Sequence, residues 1–304
     1  MNVTPPKVRV PGRGRWSGAT WRAGAVLAAL AVVSGCTGSS GPTGTTTVPA
    51  TTSAPTGTAS PTTEATAEPV WATVYFLVDT RVGLRLARER QDLGADGVQD
   101  AVEAMIAGPV DPDYTTPWNP DTEVLAVTEE EGLVTVDLSG AARTANIGSE
   151  GAALMIQQLV WTVTEAAGDP TAGVQLMIEG QPAGDLWGVV TWEYPAVRAE
   201  AMDVRMLVQL DVPAEDESFP SAPVTISGEA AAFEANVPWR ITDTGGAEVA
   251  SGFTLTAEGQ TFAPFSFEVD LPPGEYVVEI SEDDPSGGEA GTPMSDTRTF
   301  SIEG

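Results

Sequence analysis

Thr73-Val74-Tyr75-Phe76-Leu77-Val78-Asp79 is an unbroken β-branched and aromatic run, with Trp71 just before it. Such a run reads as a strand buried on both faces, so the first folded region begins at Trp71. Asp96 reads as the N-cap of a following helix, with Gln99 three residues on as its capping-box partner. Val98, Ala101, Val102, Met105 and Ile106 fall at i, i+3, i+4, i+7 and i+8 and make one apolar stripe. Gly108-Pro109 stops that helix. A Pro-, Asp- and Asn-rich loop runs from Val110 to Asp121. Glu123 to Thr128 and Leu133 to Leu138 then read as a hairpin turning at Glu130-Glu131-Gly132. Ser149 is placed to cap a second helix through Leu154, Gln158, Trp161 and Glu165. Val174 to Glu179 reads as a further strand, and Trp187 to Trp192 as an added edge strand. The order βαββαβ predicts helices on one face of a small mixed sheet.

After Pro195 the pattern changes to short alternating runs: Val204, Met206, Val208 and Leu210; Val224 and Ile226; Trp239 and Ile241; Phe265, Phe267, Val269 and Leu271; Tyr276, Val278 and Ile280; Phe300 and Ile302. Turn signals such as Pro272-Pro273-Gly274 separate them. These strands predict an immunoglobulin-like sandwich without a disulfide. The fold class expected is α+β, with a mixed-sheet domain over 70–195 and an all-β domain over 200–304.

Upstream, Lys7, Arg9, Arg13, Arg15 and Arg22 precede an apolar run from Ala23 to Val33, and the first 35 residues hold no acid. A basic flank, a short apolar run and small residues before a cut make a secretory signal peptide over 1–35. The run is shorter than the roughly 20 residues a spanning helix needs. Cys36, the single cysteine, follows Val33-Ser34-Gly35 and looks like the lipobox cysteine of bacterial lipoproteins. The expectation is a palmitate-type acyl anchor at Cys36 on the extracytoplasmic face of the cell membrane. Residues 36–69, rich in Ser, Thr and Pro, cannot bury enough apolar surface to fold and read as a disordered tether. A coil of that length reaches on the order of 30 Å.

The 304-residue chain has 14 basic and 43 acidic residues, and five of the basic ones leave with the signal. Nine against 43 gives the mature chain a formal charge of −34. Nucleic acid and anionic headgroups would repel it. With no histidine, a Ser-His-Asp apparatus is impossible and the usual zinc ligand sets are missing. No cofactor motif is present.

Five blocks in order resemble the GerMN domain of sporulation and spore germination. They are Val74-Tyr75-Phe76-Leu77, Ala104-Met105-Ile106-Ala107-Gly108-Pro109, Val134-Thr135-Val136-Asp137-Leu138-Ser139, Gln157-Gln158-Leu159-Val160-Trp161-Thr162 and Val174-Gln175-Leu176-Met177-Ile178-Glu179-Gly180. Pro223 to Ala230, Phe233 to Val237 and Phe265-Ser266-Phe267 resemble the immunoglobulin-like domain of bacterial spore germination proteins. The resemblance implies a non-catalytic envelope lipoprotein, acting in envelope assembly or beside membrane signalling proteins. It does not imply sporulation.

Other residues invite chemistry. Arg81, Arg85 and Arg88, with Arg90 beyond, sit at helical spacing just after the first strand. They read either as neutralising nearby carboxylates or as a docking face for wall polymer or another envelope protein. Trp118 is the tryptophan expected to be exposed, in its Pro-rich loop, and is the candidate among them for ligand contact. Asp283, Asp284 and Glu289, near Glu282 and Ser286, are weak calcium candidates whose spacing matches no EF-hand. Asp111, Asp113 and Asp121 and Glu129 to Glu131 read as solvated loops, and no catalytic residue is assigned. The preferred function is a membrane-anchored binding or scaffold module. The alternatives are a carboxylate-dependent hydrolase of wall polymer and an accessory to a membrane sensor kinase.

Overall fold

The computed structural model describes residues 69–94, 97–145, 147–284, 289 and 291–304. The signal peptide, Cys36, nearly all of the tether, the Asp96 cap and Ser286 lie outside them. Among the described residues no helix is long and apolar enough to cross a membrane.

The buried run becomes strand β1 (Trp71–Thr80), which folds back antiparallel onto β2 (Gly83–Asp92). Its two-faced burial is as expected. Val74 and Phe76 enter the main core, while Tyr75 and Leu77 pack with Leu86, Leu154 and Trp161 in a second cluster. Strand β2 holds Arg85, Arg88 and Arg90, for which a loop or short helix is the sequence expectation. Pairing with β1 decides otherwise: Leu86 and Ala87 are fully buried in a segment otherwise crowded with charge. Helix spacing therefore does not bring Arg81, Arg85 and Arg88 to one face. Arg81 sits in the turn, while Arg85 and Arg88 point to opposite sides of a strand.

Helix α1 (Val98–Ala107) buries the stripe read from sequence, and Gly108 ends it at φ 112, where L-residues are strained. Strands β3 (Val124–Glu130) and β4 (Leu133–Leu138) form the expected hairpin. Helix α2 (Ser149–Ala166) then crosses over to β5 (Gly173–Ile178), which runs parallel to β4. Gly148 holds the N-cap position, and Ser149 is the first helical residue rather than the cap. The two-residue β6 (Gln181–Pro182) closes the four-stranded sheet β3-β4-β5-β6. Strands β7 (Gly184–Leu186) and β8 (Val190–Trp192) make a separate hairpin, so the segment from Trp187 to Trp192 adds no edge to the main sheet.

β1 also stays outside that sheet, because α2 occupies its free edge. Tyr75 N–H donates to Thr162 Oγ1 (3.1 Å), and Gln158 Nε2 donates to the Tyr75 carbonyl (2.9 Å). Further along, Leu77 and Thr115 exchange backbone bonds at 2.8 Å each. An edge strand needs such partners when it is buried.

A single helical turn, α3 (Ala201–Val204), leads into the second domain. Its strands are β9 (Val208–Val212), β10 (Glu217–Phe219), β11 (Val224–Ala230), β12 (Asn236–Asp243), β13 (Glu248–Leu255), β14 (Ala263–Val269), β15 (Gly274–Ser281) and β16 (Ser295–Ile302). They form sheets ordered β14-β11-β9 and β10-β16-β15-β12-β13. The result is the expected all-β sandwich, with β10 and β13 as strands the alternation did not mark.

The apolar side chains of the two domains run together in one core, from Val74, Met105, Leu159 and Leu176 to Leu210, Ile226, Val278 and Phe300. The described residues from 69 onwards form one compact unit.

Candidate binding site at the domain junction

The outer edge of β2 needs hydrogen-bond partners as much as β1 does, and the second domain supplies them. Met206 N–H donates to the Leu86 carbonyl (2.8 Å), Arg88 N–H donates to Gln209 Oε1 (2.9 Å), and Arg298 Nη2 donates to the Arg88 carbonyl (3.3 Å). The arginine side chains follow the same direction. Arg88 bonds Asp211, and Glu229 at 2.9 Å; Arg90 meets Glu217 at 2.5 Å; Arg81 pairs with Glu282. Arg85 donates to the Leu84 carbonyl at 2.8 Å. Arg81 and Arg88 thus neutralise carboxylates across the junction, and the Arg88 side chain is only 15% exposed.

The densest part of the seam surrounds Arg298, whose side chain is 1% exposed. Alternation along β16 sends Asp296, Arg298, Phe300 and Ile302 inward together. Arg298 Nη1 reaches Asp111 Oδ2 at 2.5 Å and Asp296 Oδ1 at 2.9 Å, and Nη2 reaches Tyr114 Oη at 3.0 Å. Tyr114 Oη donates to Asp296 at 2.5 Å, and Thr297 Oγ1 donates to Asp113 at 3.0 Å. Burial raises the Asp111 carboxyl to about 7, against the pull of Arg298, and Asp296 and Glu215 add to the rise. Burial likewise lifts the Tyr114 hydroxyl well above its ordinary range.

This corrects two readings of the Pro-rich loop. Asp111 is not solvated; the loop folds inward and its backbone bonds the buried Glu89. Trp118 is not exposed. It is 3% accessible and packs edge-on against Trp187, with ring centroids 5.7 Å apart, so it cannot stack on a ligand. The calcium candidates do not converge either. Asp283 accepts from Asn236 at 3.0 Å, and the described residues hold no group of three carboxylates close enough for a metal ion.

Beside the seam lies a cavity of about 340 Å³ walled by Tyr75, Trp161, Arg88, Arg198, Arg205 and Glu229, with Glu165 at its rim. The Arg198 guanidinium lies 4.2 Å from the Trp161 ring centre, and that of Arg205 lies 5.2 Å from it and 4.2 Å from Phe262. Arg198 Nη2 bonds Glu165 at 2.7 Å, and Arg205 Nη2 bonds Glu229 at 2.6 Å. Sequence reasoning singled out Arg88 but missed the others, because they come from β1, α2, α3's flanks and β11. The inward Asp296–Arg298 pair did leave a signal: the Phe300–Ile302 alternation, extended backwards, points both charges to the core.

Residues 73–184 match the family model described as Germane, sporulation and spore germination. Residues 207–289 match Gmad2, the immunoglobulin-like domain of bacterial spore germination. The chain joins a Germane domain to a Gmad2 domain. No curated protein gives a match. Among solved structures, the chain is similar to the tandem GerMN domains of the sporulation protein GerM from Bacillus subtilis. The identity is 19% over 45% of this chain and 50% of that one, with a TM-score of 0.36. A putative lipoprotein from Clostridium perfringens is 15% identical over 47% of this chain and 99% of its own, with a TM-score of 0.31. The chain thus spans half the length of the tandem GerM structure. The junction described above is where this Germane domain meets this Gmad2 domain.

Proposed function

We propose that the chain is a lipid-anchored extracytoplasmic protein whose joined Germane and Gmad2 domains act as a binding or scaffold module of the cell envelope, without catalysis. The observation that carries this reading is the seam. A body held together by buried ion pairs presents a fixed surface, which suits holding partners in place. The carboxyl with a raised value near neutrality, Asp111, is 1% exposed and bonded to Arg298, out of reach of any polymer chain. Cys36 at the end of a signal-like segment supplies the anchor in this reading, and the acidic surface keeps the body off anionic headgroups.

Labelling cells with a palmitate analogue, followed by fractionation, tests the anchor. Wild type should carry the label in the membrane fraction, and Cys36→Ala should lose it and leave that fraction or stay as unprocessed precursor. A panel of wall-polymer substrates tests the absence of catalysis. Turnover abolished by a single Asp or Glu substitution would overturn the binding reading.

A further inference from the structure

Among the described residues, the junction cavity brings three arginines together. Arg88, Arg198 and Arg205 form its wall beside Glu165 and Glu229, and Asp211, outside the lining, also holds Arg88, in a protein of net charge −29. Among the described residues the only ion-pair partner of Arg205 is Glu229, which Arg88 shares. Three buried N–H groups of the wall have no acceptor: Arg88 Nε, Arg205 Nε and Trp161 Nε1. A wall that is rich in donors and poor in acceptors lacks what an oxyanion brings. Its volume of about 340 Å³ is that of a small-molecule pocket.

We infer that this cavity binds a small ligand through a phosphate or carboxylate group, held by Arg198 and Arg205 over the Trp161 ring. Guanidinium groups suit either oxyanion because two parallel N–H bonds fit its oxygens. Glu165 is the movable element. Its side chain is 40% exposed, and in the present arrangement it occupies Arg198. An entering oxyanion displaces Glu165 towards water, so binding exchanges one exposed ion pair for a more enclosed one. Glu229 stays, because Arg88 and Arg205 hold it from two sides. The inference deepens the binding reading proposed above and names the class of ligand.

The test is calorimetric titration of the detergent-solubilised full chain with inorganic phosphate and, separately, with succinate, at constant ionic strength set by chloride. One-site binding of either probe is expected, and the tighter one identifies the group. Arg198→Gln should weaken it about tenfold or more, the size expected for losing a charge-assisted bond. Glu165→Gln removes the competing carboxylate and should tighten binding several-fold; this variant decides the matter if Arg198→Gln unfolds. Arg240→Gln is the control, since Arg240 pairs with Glu279 on the outer sheet and its side chain is 58% exposed. No saturable binding of either probe, equal weakening by Arg240→Gln, or weakening by Glu165→Gln would overturn the inference. Any of these results, with the lipid label and membrane fractionation intact, would leave the scaffold reading standing.

Discussion

Arg298 is the residue on which the junction turns. It is a buried cation between two buried carboxylates, Asp111 and Asp296, with Tyr114 closing the group. Removing one member of such a set leaves uncompensated charge in a dry place. Arg298→Leu should therefore cost about 3–5 kcal/mol in denaturant unfolding. A loss below about 1 kcal/mol, the size of an exposed pair, would mean that water reaches the group. Asp111 makes the seam sensitive to pH. Its carboxyl titrates at about 7 in the folded protein and at about 3.9 in an unfolded chain. Between those values the folded state keeps a proton that the unfolded state has released. Stability should fall as pH rises from about 4 to about 7 and lose this dependence above. Asp211 and Glu215, also raised by burial, add in the same direction. Asp111→Asn should flatten much of the slope when unfolding free energy is measured across that range. An unchanged slope would assign it to other groups.

At the scale of elements, β2 shows where sequence reading stops. Its residues Gly83–Asp92 carry three arginines, a glutamate and an aspartate, a composition that local propensity assigns to a surface. They form a strand because β1 offers one edge partner and the second domain the other, and neither is visible in the segment itself. Strand β1, helix α1 and the β3–β4 hairpin were legible because their burial follows a local period. The burial of Trp118 was not legible for the opposite reason: its loop is irregular, and distant partners, Leu77 at Thr115 and Glu89 at Asp111, turn it inward. Elements also meet at contacts too close for any side chain. Where β9 shifts register against β11, a Cβ on Gly228 would stand 2.0 Å from the Gln209 carbonyl oxygen and 2.7 Å from the Phe265 ring. Backbone cannot yield as a flexible side chain can. Gly228→Ala should thus destabilise by about 2–4 kcal/mol, in the range of strained core substitutions. Gly132, whose position has nothing nearby but a φ of +73, should lose less, about 1 kcal/mol, on the same change. A reversed order in thermal or denaturant unfolding would count against the packing described for β9 and β11.

On the scale of the whole molecule, the sequence marks two domains and predicts that each folds on its own. Composition and period change near Pro195, and the two family matches, 73–184 and 207–289, fall on either side of it. Two such patterns favour independent folding, since linked domains commonly share only modest polar interfaces. The junction here is of another kind. The outer edge of β2 is completed by Met206, Gln209 and Arg298, Asp111 finds its cation only in the other domain, and one apolar core crosses the boundary. A fragment of 70–196 would expose that strand edge together with the apolar surface around Leu86 and Phe76. A fragment of 200–304 would turn Asp296 and Arg298 towards water and uncover β9. Each fragment loses burial that no new contact replaces, whereas the joined chain keeps all of it. Residues 70–304 should therefore unfold in a single transition, coincident by fluorescence and circular dichroism, with a denaturant slope set by the surface of both domains. The separate fragments should unfold at clearly lower denaturant concentration than the joined chain, or fail to fold. Two resolved transitions in the joined chain, each matching one fragment, would show that the seam contributes little and that the buried Arg298 group forms after the domains have folded on their own.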